Sequence, residues 1–113
     1  MSNQLVDKAL AKVGNDYSAG WTQVTSSYGF NVYYKKLFGI HLLHVDGNSA
    51  GAVGTDGHEF TIPNIEATPY FLVQTGYVGT TNYRAELYIS NKIKILPTAS
   101  LPSNSYINVT FVY

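Results

Sequence analysis

The chain has 113 residues, seven basic against seven acidic side chains, a hydrophobic fraction of 45% and no cysteine. That is one domain with enough length for an ordinary core. It excludes disulfides, thiolate metal sites and cysteine nucleophiles, and a neutral chain lacks the concentrated Lys and Arg that a nucleic-acid backbone requires. Only 12% of the residues are charged, which is low for solvated surface, so part of the surface is expected to lie against another chain. The N-terminal MSNQLVDKALAKV is too polar for a secretion signal, and the apolar runs are far shorter than a membrane span. Synthesis in a reducing cytoplasm and no membrane insertion are the expectations.

In chain order, Leu5, Ala9 and Val13, with Val6 and Leu10 alongside, form a helical stripe that Ser2 can cap and Gly14-Asn15-Asp16 can end. So short a helix must pack on something. It fits the end of a coiled-coil stem, and it equally fits a helix lying across the open end of a barrel. Residues 15–20 read as a linker. From Trp21 the pattern is β throughout. Strands are expected at Trp21–Thr25, Phe30–Leu37, Ile40–Asp46, His58–Ile62, Phe71–Val78, Tyr83–Ile89, Lys92–Leu96 and Tyr106–Tyr113. Phe38-Gly39 is a turn or bulge, and Ser90-Asn91 is the turn of a hairpin. Gly47–Gly57 has four glycines and reads as a flexible surface hairpin loop, since it matches no phosphate-binding pattern. In the last strand Ile107, Val109, Phe111 and Tyr113 share one face. About eight short strands with turn signals between them, and no βαβ alternation, predict an all-β sandwich or small barrel over residues 21–113.

The residues for chemistry are few. His44 and Asp46 share a strand face, but a metal site needs a third ligand to arrive, His58 or Glu59. No cofactor and no metal are expected. The carboxyls Asp46, Asp56, Glu59, Glu66 and Glu86 show no spacing that marks a glycosidase pair, and no nucleophile elbow is present. A saccharide site asks for less. It needs an aromatic platform and a few fixed donors and acceptors, and ten tyrosines and one tryptophan supply the first. Trp21 belongs either to such a platform or to the core. Arg84, the single arginine, suits a carboxylate or phosphate group, or an ion pair with Glu86 on the same strand face.

The order of these features is familiar. It runs from an early Trp in WTQV through VYYKKLFGIHLLHVDG to a Gly-rich loop. A strand then enters the Pro turn FTIPNIEATPY, and the hairpin YRAELYISNKIKIL and a terminal aromatic strand follow. It resembles the C-terminal head domain of receptor-binding proteins from tailed phages of Gram-positive bacteria, the lactococcal phages in particular. The resemblance spans about residues 21–113. It implies a small Greek-key β-barrel that forms a homotrimer at the tail tip or baseplate of the virion and binds a host cell-wall saccharide without cleaving it. The N-terminal segment 1–14 would then be a stem or its stub, and other baseplate or tail proteins would be partners.

The candidate saccharide-binding residues are Gln74, Tyr77, Asn82, Tyr83 and Arg84, with His44, Asp46 and His58 as a second patch; the ligand is a saccharide or a glycerol-phosphate polymer. Two other functions fit the same residues: a virion decoration or connector protein whose surface is made for other proteins, and a small cell-wall hydrolase using Asp46, Asp56 or Glu59.

Overall fold

The computed structural model describes residues 20–63, 65–66 and 71–113. The expected N-terminal helix, the expected linker up to residue 19 and most of the expected Pro turn before Phe71 lie outside these residues. The described chain is all-β. Its strands are β1 (Thr22–Ser27), β2 (Phe30–Leu37), β3 (Ile40–Asn48), β4 (His58–Thr61), β5 (Phe71–Val78), β6 (Thr81–Tyr88), β7 (Lys92–Pro97) and β8 (Tyr106–Val112). They form two antiparallel four-stranded sheets, in the orders β1-β2-β3-β8 and β4-β7-β6-β5. The second sheet is a Greek key: β5, β6 and β7 follow one another, and β7 comes back to lie beside β4.

Alternation places the core between the sheets. Val32, Leu43, Val45, Ile107, Val109 and Phe111 point inward from the first sheet. Phe60, Tyr83, Ala85, Leu87, Ile93 and Ile95 meet them from the second. Tight turns fix the registers. The β1–β2 and β2–β3 turns place Tyr28-Gly29 and Phe38-Gly39 at positive φ, as two-residue hairpins of the right twist require, and the β6–β7 turn, residues 89–91, has Ser90 and Asn91 at positive φ. At Gly29 a Cβ would collide with the Asn48 carbonyl, so only glycine lets this turn pack against the end of β3.

Two expectations are corrected. The barrel is not closed, because no ladder joins the two sheets. Where β5 and β8 come together, a side chain replaces the ladder: Tyr83 reaches under Gly76, and its hydroxyl accepts the Asn108 N–H at 3.3 Å. Any side chain at Gly76 would occupy the space of that ring. Second, residues 47–57 are not a hairpin loop. They carry the chain from the first sheet to the second and are pinned on the way. Val53 is buried and bridges Leu101 through two backbone hydrogen bonds of 2.9 and 2.8 Å. The buried Ser49 hydroxyl accepts the Ser105 N–H at 3.0 Å.

Candidate functional site

The inward alternation leaves two outward faces, and the candidate residues divide between them. On the first sheet the register builds two adjoining rows. One runs Gln23, Tyr33, His44, Thr110 across all four strands; the next runs Ser26, Asn31, Asp46, Asn108. A bulge between Gln23 and Thr25 lets Val24 turn into the core while Gln23 and Ser26 both stay in these rows.

His44 is the centre of this face. Its Nε2 lies 3.1 Å from Asp46 Oδ2, and its Nδ1 lies 2.8 Å from Thr110 Oγ1. A carboxylate only accepts, so Nε2 donates to Asp46; in the tautomer with its proton there, Nδ1 accepts from the Thr110 hydroxyl. The ring is thereby fixed from both ends. Trp21, the residue before β1, and Tyr33 flank it, with ring centroids 6.1 and 6.3 Å away. Around them Gln23 donates to Asn31 at 3.3 Å, and Asn108 donates to Tyr106 at 3.2 Å. The Asp46 side chain keeps 30% of its surface exposed, so its second oxygen can accept from a bound group. A half-open shelf results, with aromatic walls and a floor of amides, a carboxylate and a hydroxyl.

The face of the second sheet has another character. Its rows are Phe71–Tyr88–Lys92–Thr61, Val73–Glu86–Lys94–Glu59, Thr75–Arg84–Leu96 and Tyr77–Asn82. The Glu86 side chain is only 7% exposed although it faces outward, and the Arg84 guanidinium pairs with it at 3.1 Å. Tyr88 donates its hydroxyl hydrogen to the same carboxylate. That bond, with burial and the carboxylate's charge behind it, pushes the Tyr88 pKa up to about 12. Phe71, Val73 and Tyr77 stand exposed along β5.

Of the eight predicted residues, His44 and Asp46 come together on the first face, and Tyr77, Asn82 and Arg84 on the second. Gln74 is exposed but takes the inward parity of β5, opposite Ala85. Tyr83 does not belong to a surface site. It is a core residue, 2% exposed, because it alternates with the outward Arg84. His58 does not join His44 and Asp46 either. It sits on the inward side of β4, stacked on Tyr28 at 4.7 Å and 3.2 Å from the Ser27 hydroxyl. Burial there lowers its pKa.

Among the described residues, no three His, Cys, Asp or Glu side chains gather as metal ligands. Asp46 and Glu59 fall on opposite outer faces, so the structure does not bring these two of the hydrolase carboxyls together. The residues that sequence reasoning left out are Tyr33, Gln23, Asn31, Asn108 and Thr110. Only the strand register, which pairs each with His44, Asp46 or one another, exposes them.

A comparison with known proteins finds no matching protein family and no curated protein of similar sequence.

Proposed function

We propose that this domain is a non-catalytic adhesion head of a phage tail tip or baseplate. In this reading it binds a host cell-wall saccharide on the outer face of the first sheet. The observation that carries the reading is His44, locked between Asp46 and Thr110 and flanked by Trp21 and Tyr33. Sugars present an apolar C–H face and a rim of hydroxyls. Aromatic walls take the first, and preset acceptors and amides take the second without ordering costs at the moment of binding. The β-sandwich and the motif order support the phage-head reading, and a homotrimer would turn a shallow site into useful avidity.

A second reading, a virion connector protein, draws on another observation. Phe38, Ile40 and Val112 are exposed at one end of the first sheet, as Phe71, Val73 and Tyr77 are on the second. Such residues suit a protein partner.

The test is a titration of neutral cell-wall oligosaccharides, followed by NMR, with light scattering to give the mass in solution. Trp21→Ala and Asp46→Ala should each weaken binding at least about tenfold, the range expected for losing an aromatic wall or a charge-assisted hydrogen bond. A stable mass of three chains is expected. Unchanged binding in both variants removes this face. Tight capture of another virion protein with no saccharide binding supports the connector instead. Hydrolysis of the oligosaccharide that is abolished by His44→Ala replaces adhesion by catalysis, since an imidazole between a carboxylate and a hydroxyl is also the wiring of a nucleophile.

A further inference from the structure

We infer that the outer face of the second sheet holds a separate binding site for an oxyanion, a carboxylate or phosphate group, read by Arg84 with Lys94 and Asn82. The inference does not rest on the saccharide reading of the first face.

The geometry begins at Glu86. Its buried carboxylate is bracketed within the sheet: Lys94 lies directly across from it on β7, and Arg84 lies two residues along on β6. Tyr88 and Arg84 both bond to it, so its two oxygens are engaged. The carboxylate therefore anchors the arginine. It holds Nη2 at 3.1 Å, and the rest of a guanidinium whose side chain is 52% exposed points to solvent. A guanidinium carries five donors in a rigid fork, so one contact leaves an edge that can take an oxyanion with two parallel bonds.

The surroundings suit such a group. Thr75 is the cross-strand neighbour of Arg84, and Asn82 follows on the same face, paired with Tyr77. Thr75 thus shares the row of Arg84, and Asn82 with Tyr77, 68% exposed, makes up the next row of the same face. The charge balance favours an anion. This face carries Arg84, Lys92 and Lys94 against Glu59 and Glu86, three cations to two carboxylates. Lys92 pairs with Glu59 at 3.8 Å and Arg84 with Glu86 at 3.1 Å, so the one net positive charge of the face falls to Lys94, across the ladder from Glu86. On the first face the carboxylate of Asp46 stands at the centre, where it repels an anion. The two faces thus select opposite chemistry: hydroxyl donors on one, an oxyanion on the other.

The experiment titrates the whole chain with glucuronate and with glycerol 3-phosphate, using glucose and glycerol as uncharged controls, and follows the amide signals of β5 and β6. Both anions should shift Thr75, Asn82 and Arg84, and the controls should not. The tighter of the two probes tells carboxylate from phosphate. Arg84→Lys keeps the charge and the pairing with Glu86 but loses the fork, and should weaken binding about tenfold. Lys94→Gln and Asn82→Ala should each weaken it a few-fold. Glu86→Gln is the decisive variant. It keeps partners for Tyr88 and Arg84 but removes the competing negative charge, so anion binding should tighten several-fold. A purely structural ion pair would give no such gain. The inference is overturned if neither anion binds, if the controls bind equally well, or if Arg84→Lys and Glu86→Gln both leave the affinity unchanged. Loss of neutral-sugar binding at Asp46 leaves it standing.

Discussion

On the outer face of the first sheet the polar side chains lie at the surface and bond to one another: Gln23 to Asn31, and His44 to Thr110 and Asp46. On the second sheet a carboxylate is sunk beneath its neighbours, held by an arginine and a tyrosine. The two arrangements use charge for different ends. Asp46 remains partly hydrated, so it is free to exchange water for a ligand at little cost. Glu86 has given up its water, so it depends on Arg84 and Tyr88, and Arg84 in turn is oriented by it. Buried charge fixes geometry, and the cost is that neither partner can be removed alone.

The largest effect that follows is on stability. Arg84→Ala leaves the Glu86 carboxylate without its cation and should cost about 1–3 kcal/mol, the range for stranding a buried charged hydrogen-bond partner. Asp46→Ala should change stability by less than about 0.5 kcal/mol, as surface substitutions usually do. Urea unfolding of the two variants measures both. Equal losses would break the distinction between the faces.

The next effect is alkaline. Tyr88 is held protonated in the fold, with its pKa near 12, first by the bond to Glu86 and then by burial. In the unfolded chain a tyrosine titrates near 10. The stabilisation is therefore complete below about pH 10 and is lost as the pH rises from there toward 12. Tyr113 follows the same course, raised to about 12 chiefly by its burial. In Tyr88→Phe the alkaline fall in stability should be shallower, with the Tyr113 part left. A fall of unchanged slope would mean that the Glu86 anchor is not formed in solution.

Much of the sandwich was legible in the sequence, because strands with one buried face announce themselves by period two. The runs Phe30–Leu37 and Phe71–Val78 have the predicted bounds, and Ser90-Asn91 is the predicted turn. The same period separates Tyr83 from Arg84. The two therefore cannot serve one site, since neighbours on a strand do not share a face. What the sequence could not carry was pairing across strands. Thr110 is 66 residues from His44, yet it bonds to it. Nothing local marks Asn108 or Thr110 as neighbours of His44 and Asp46; the β3–β8 pairing does. The glycine-rich 47–57 segment departs from its expectation for a related reason. Its glycines suggested freedom, but Val53 and Ser49 are held by partners near residues 101–105, far along the chain.

The smallest effect concerns His58, which belongs to neither face. Its ring is packed against Tyr28, Phe30 and Phe60 between the edges of the two sheets, and burial alone lowers its pKa. A histidine in the unfolded chain takes its proton near pH 6.5. The folded ring takes it only at lower pH, so the contribution of His58 to stability is full above about 6.5. It declines as the pH falls below that, toward the depressed folded value. His58→Gln should remove this part of the acid sensitivity while leaving sugar binding on the first face and anion binding on the second unchanged. Stability measured by urea unfolding at pH 7 and pH 5, with a titration of both probes at pH 7, tests all three points. If the variant loses sugar binding instead, the packing between the sheets controls the shelf around His44, and the two faces are not independent.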